Sequence, residues 1–103
     1  MFGIYARFIW NWEARLAQRD AGRIRHIGIS GHNCDILREA LERSSEFETV
    51  QFPFNILEDD PSVRLLLGTA AARHVGTIAM KPLAGGLLPQ PLMALRWVLS
   101  QPV

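Results

Sequence analysis

One cysteine, one tyrosine and one lysine are all that 103 residues supply of those types, and each scarcity excludes something. A single thiol, Cys34, rules out an internal disulfide framework and any multi-thiolate zinc or iron–sulfur centre built by this chain alone. An excess of one charge is also lacking: eleven basic residues face ten acidic ones, for a formal net charge of +1. That balance argues against nucleic-acid binding by bulk electrostatics and against a polybasic membrane patch. No apolar run approaches the ~20 residues of a membrane span. The apolar opening, Met1 to Trp10, holds one Arg7 and no small-residue cleavage site, so it reads as neither signal nor transit peptide. A cytoplasmic setting is the expectation. Nucleotide fingerprints are missing as well, with no G-x-G-x-x-G and no Walker A sequence.

What remains is a globular composition, 49% hydrophobic and 20% charged, with no low-complexity tract and no break dividing it. Apolar residues at helical spacing (Phe8, Ile9, Trp12, Leu16, Ala17) predict a helix over about 8–21, closed by Gly22. Arg23–Ser30, reading RIRHIGIS, is β-branched and bounded by turn residues, which predicts a strand. Asn33 suits an N-cap, with Asp35 in the first turn of a helix presenting Ile36, Leu37, Ala40 and Leu41 and ending near Ser44. Glu48–Phe52 is a short strand expected to stop at Pro53. Asp60-Pro61 is a helix start, followed by Val63, Leu66, Leu67, Ala70, Ala71 and His74 on one face, with Gly76 as the left-handed cap. Thr77–Lys81 is a third strand, and Pro91 opens a helix through Leu92, Leu95, Val98 and Leu99.

A helix followed by three strand–helix units predicts an α/β structure with parallel strands and right-handed connections. In such structures function collects at the C-terminal ends of the strands. Three places qualify: Ser30-Gly31-His32-Asn33, Gln51 to Asn55, and Met80-Lys81 with the loop Pro82-Leu83-Ala84-Gly85-Gly86. Period-2 alternation sets Ser30, Gly28 and His26 opposite Ile27 and Ile29, so the helices should cover the isoleucines. Small polar groups and a glycine-rich loop at neighbouring tips could hold an amide- or phosphate-bearing ligand. Blander readings stand beside these. Gly85-Gly86 alone is most often a turn, the His32/Cys34/Asp35 spacing reads as a capped helix start rather than a metal site, and His74 as a C-terminal-turn histidine. Trp10 and Trp12 read as packing, and Glu58-Asp59-Asp60 as a solvated loop plus cap.

The segments GRIRHIGISGHN (Gly22–Asn33), VQFPFNILE (Val50–Glu58), TIAMKPLAGGLL (Thr77–Leu88) and ALRWVLSQPV (Ala94–Val103) resemble the aldo/keto reductase family, in family order and at family spacing, over roughly residues 15–103. The resemblance implies a (β/α)8 TIM barrel of which these are the fifth to seventh strands with their helices. A whole barrel takes ~250 residues, so a partial barrel is expected. It further implies NADP or NAD as cofactor and a small-molecule carbonyl substrate for the parent protein. Ser30 and Gln51 would hydrogen-bond the nicotinamide carboxamide, Met80 would lie where an aromatic residue usually stacks on the ring, and Lys81, Leu83 and Gly85 would follow the pyrophosphate. Two departures accompany this: Gly31 stands where asparagine is usual, and methionine at 80 offers a flexible thioether for an aromatic face. The wording G-x-S-G-H-N and M-K-P-L-A-G-G is similar to bacterial-type members, some of which carry a cysteine-rich iron–sulfur region that this chain lacks.

Family chemistry uses a tyrosine as general acid, with a lysine, an aspartate and usually a histidine, all from earlier strands. Tyr5 matches no such motif and Lys81 belongs to the seventh strand, so no catalytic residue is assigned. The chain alone is expected to be inactive. The eighth strand, which grips the 2′-phosphate in NADP-preferring members, is also expected to be missing. Two rivals remain open: a non-catalytic nucleotide-binding module that self-associates through exposed strand edges, and a different α/β phosphate-binding fold.

Overall fold

The computed structural model describes residues 12–103. Helix α1 (Trp12–Asp20) leads into β1 (Gly28–Ser30), α2 (Cys34–Arg43), β2 (Thr49–Pro53), α3 (Pro61–Ala72) and β3 (Gly76–Met80), and a 3₁₀ turn (Ala84–Gly86) precedes α4 (Pro91–Leu99). The three strands form one parallel sheet in the order β1-β2-β3. Each pair of neighbours is joined through a helix, as parallel pairing requires. This is the α/β architecture of a partial barrel. The start of the expected first helix, with Phe8 and Ile9, lies outside the described residues, as do Tyr5 and Trp10.

Alternation divides the sheet into two faces. Ile27, Val50 and Phe52 are buried on one, and Ile29 and Ala79 pack against them. Helices α2 and α3 cover this face with Leu37, Ala40, Leu41, Val63, Leu66, Leu67 and Ala70. Gly28, Ser30, Thr49, Gln51, Ile78 and Met80 occupy the other face and are half-buried or exposed. Both covering helices start where their side chains dictate. Asn33 Oδ1 accepts from the amides of Asp35 and Ile36 at 3.1 and 3.2 Å. Asp60 Oδ1 accepts from the Val63 amide at 3.1 Å, with Pro61 in the first turn. Helix α1 is tied to the body by Leu16 against the core and by Arg19, which donates to the Glu46 carboxylate.

Four expectations need correction. The first strand is three residues rather than eight, because its partner β2 begins at Thr49, opposite Gly28, and leaves Arg23–His26 without a ladder. β2 does stop at Pro53 but includes it, one residue further than expected, with Pro53 paired to Met80. Gln51 O accepts from Gly31 N and Phe54 N donates to Met80 O, so odd positions of β2 face β1. The amide hydrogen that Pro53 lacks would point past the end of that strand, where no ladder continues. Helix α3 closes on His74 rather than Gly76. His74 takes φ 57°, with bonds from His74 N to Ala71 O and from Val75 N to Ala70 O, and Gly76 opens β3. Helix α4 is rotated from the expected face: Ala94 and Val98 are buried with Trp97 beside them, while Leu92, Leu95 and Leu99 are exposed.

Candidate functional site

Register decides which of the candidate side chains meet. Ser30 pairs with Gln51, and Gln51 with Ile78, so the three stand in one row across the face that α2 and α3 leave uncovered among the described residues. Met80, opposite Pro53, is on the same face one step nearer the C-terminal end. Ser30, Gln51 and Met80 are therefore brought together. Among the described residues neither the Ser30 hydroxyl nor the Gln51 amide makes a hydrogen bond. Two polar side chains with free hydrogen-bonding capacity next to an apolar row suit a ligand that presents both kinds of surface.

Lys81 lies just past β3 rather than within it. Its φ of 54° turns the chain over at the strand tip, and its Nζ stands 3.0 Å from His32 Nε2, in the loop after β1. The ammonium donates to the unprotonated ring nitrogen and so bridges the loops after the two outer strands. The loop that follows is closed on itself. Ala84 N donates to Lys81 O, Gly86 N to Leu83 O, Leu87 N to Ala84 O and Leu88 N to Leu83 O. Ala84, Gly85 and Gly86 all have positive φ, at 53°, 66° and 94°. Leu83 and Gly85 thus belong to a tight turn that engages the amides of Ala84, Gly86, Leu87 and Leu88, while their own amides make no bond among the described residues. The charged group it offers is the Lys81 ammonium.

Two residues that sequence reasoning left without a role join this rim. His32 has no signal pointing at Lys81, since 49 positions separate them. Asn55 is fully buried at the exit of β2. Its Nδ2 donates to Lys81 O and to Glu58 Oε1, both at 3.0 Å, and its Oδ1 accepts from Leu57 N at 2.9 Å. Its burial beside Phe54 could have been suspected from the run of apolar residues; its partner could not.

Cys34 opens α2 nearby. It is buried, and burial pushes its thiol above the usual range, with the negative charges of Asp60, Asp35 and Glu58 acting in the same direction. His26 has Glu48 Oε2 at 2.8 Å from its Nδ1. No described helix is long and apolar enough to cross a membrane.

No curated protein and no solved structure matches the chain. The family profile described as "Aldo/keto reductase family" matches residues 12–92, a stretch that contains all three strands, the helices between them and the loop after β3. Three parallel strands with helices covering one face of the sheet agree with that match, and the chain belongs to the aldo/keto reductase family.

Proposed function

We propose that this chain is the cofactor-facing part of an NAD(P)-dependent oxidoreductase. In this reading the whole protein transfers hydride between NAD(P)H and an aldehyde or ketone. The observation that carries the reading is the row formed by Ser30 and Gln51, side by side on the uncovered face and unpartnered among the described residues.

The donor set suits the group. A carboxamide presents one carbonyl and one NH₂, and a hydroxyl beside a primary amide can both donate to it and accept from it. Ser30 and Gln51 would hold it, with Met80 providing soft apolar contact for the ring. Lys81 supplies positive charge for a pyrophosphate, beside the turn of Leu83 and Gly85. The nicotinamide, when bound, supplies the hydride chemistry. This chain's residues bind and orient, and the proton donor comes from elsewhere in the barrel.

Titration with NADPH, NADH and inorganic pyrophosphate, followed by tryptophan fluorescence, tests this. Saturable binding of a pyridine nucleotide that pyrophosphate does not reproduce is expected. No nucleotide binding, or binding of pyrophosphate alone, would overturn it in favour of a plain phosphate site. A carbonyl-reduction assay on the purified chain is expected to show no NADPH-dependent turnover; turnover lost in a Tyr5→Phe variant would put the proton donor here.

A second reading rests on the sheet edges. Among the described residues β1 and β3 each pair on one side only, and a groove of about 410 Å³ runs along the β3 edge between Thr77, Ile78, Ala79, Leu95 and Leu99. Unpaired edges favour self-association. Sedimentation velocity separates the readings: a concentration-dependent oligomer without nucleotide affinity supports the interaction module.

A further inference from the structure

We propose that Asn55 is a positioning residue that holds the Lys81 backbone in its left-handed turn and so sets where the Lys81 ammonium and the Leu83–Gly85 turn stand. The inference rests on the cofactor reading above for its ligand, though not for its geometry.

Carbonyls along a strand point alternately to either side. At the end of β3 two successive carbonyls are instead met from the β2 side. Phe54 N donates to Met80 O at 3.1 Å, and Asn55 Nδ2 donates to Lys81 O at 3.0 Å. The backbone must turn over at Lys81 to present the second carbonyl, and it does so at φ 54°. That conformation is disfavoured for a residue with a Cβ. The side chain of Asn55 therefore acts as one more rung of the ladder, beyond the point where strand geometry can supply one.

The rung is rigid. Asn55 is fully buried; both Nδ2 hydrogens are used, on Lys81 O and Glu58 Oε1, and Oδ1 takes the Leu57 amide. A buried amide with both hydrogens and its oxygen engaged has one orientation, because any other leaves a polar group unsatisfied. The next rungs follow from it. Ala84 N donates back to Lys81 O, so the carbonyl held by Asn55 also starts the turn through Gly86. Lys81 reaches His32 from this fixed backbone.

Asn55→Ser is the informative change, since a hydroxyl can still cap the Leu57 amide as a local turn but is too short to reach Lys81 O. Hydrogen exchange of the Ala84, Gly86, Leu87 and Leu88 amides in the full chain is expected to speed up about tenfold, the scale of one lost hydrogen bond. NADPH affinity should fall by a similar factor at unchanged stoichiometry. Glu58→Ala, which removes the other acceptor and leaves the tether, should change both less than Asn55→Ser does. Lys81→Gly supplies the decisive comparison: glycine takes positive φ unaided, so Asn55→Ser should alter exchange much less in that background. Unchanged exchange in a folded Asn55→Ser variant, or an equal effect with and without Lys81→Gly, would overturn the proposal. If Asn55→Ser does not fold, Asn55→Ser in the Lys81→Gly background is expected to restore the fold, and failure to do so overturns the tether equally. Absence of NADPH binding by the unmodified chain would instead remove the cofactor reading, leaving the tether to be judged on exchange.

Discussion

Gly28 on β1 is directly paired with Thr49 on β2, and a Cβ on Gly28 would stand 2.2 Å from the Thr49 hydroxyl oxygen. The threonine side chain occupies the space that the glycine leaves. This contact lies one row below Ser30 and Gln51 and keeps their register. Gly28→Ala is expected to destabilise the chain by about 0.5–1.5 kcal/mol, the cost of driving the half-buried Thr49 side chain off its rotamer. Thr49→Ala in the same chain should recover most of the loss, because the Thr49 Cβ itself would be at an ordinary 3.6 Å. Urea unfolding of the two single variants and the double variant checks this. An additive double variant would mean that the two residues do not share the space.

Ser30 and Gln51 should show the opposite signature, a loss of binding without loss of stability. Neither side chain is hydrogen-bonded among the described residues and both lie on the uncovered face. Ser30→Ala and Gln51→Ala should therefore each leave stability within about 0.5 kcal/mol. Each should weaken NADPH binding by about two- to tenfold, the value of one net hydrogen bond. Calorimetric melting together with nucleotide titration separates the two effects. A variant that melts early with unchanged affinity would assign that side chain to the fold rather than the site.

How far such a site can be read without coordinates depends on the range of the interactions. The caps at Asn33 and Asp60 were legible because each side chain meets an amide two or three positions on. Alternation separated Ile27 and Ile29 from Gly28 and Ser30 for the same local reason. Alternation assigns faces but not register. That Ser30 faces Gln51 follows only from pairing Gly28 with Thr49. Propensity alone overextends β1, because it runs through Arg23–Ile27 while the partner strand does not. Propensity also misleads at His74, since glycine at 76 is by type the natural left-handed residue although the helix has already ended. The bridge from Lys81 to His32 and the tether from Asn55 to Lys81 span 49 and 26 positions, and nothing in local sequence encodes them.

Cys34 should be slow to react with thiol reagents at neutral pH. Burial is the main cause of its raised titration, followed by the charges of Asp60, Asp35 and Glu58. The folded chain thus holds this proton more tightly than the unfolded chain. The associated stability is fully present below the unfolded thiol's pKa of about 8.5 and is lost as pH rises through the folded value. Alkylation followed by mass spectrometry should show a rate that climbs only in that alkaline window. Asp60→Asn keeps a good N-cap while removing one charge, so it should shift the window slightly downward without unfolding the chain. Asp60→Ala should cost about 1 kcal/mol through the lost cap. Fast labelling at pH 7 would contradict the burial of Cys34.

His74 is the position where a single change should add stability. It holds φ 57° after α3, and its amide and that of Val75 close the helix through backbone bonds alone. The side chain is exposed, so removing it exposes no core. A residue with a Cβ in this conformation costs about 1–2 kcal/mol relative to its preferred backbone, whereas glycine takes it readily. The greater freedom of glycine in the unfolded chain offsets part of that gain. His74→Gly is therefore expected to stabilise by about 0.5–1 kcal/mol, with His74→Asn in between because asparagine tolerates the left-handed region better than most. For a chain of this size that is a rise of roughly 2–8 °C in Tm, measurable by circular dichroism at fixed pH. The order Gly above Asn above His tests backbone strain specifically. If His74→Ala were to stabilise as much as His74→Gly, the gain would come from losing the imidazole and not from φ.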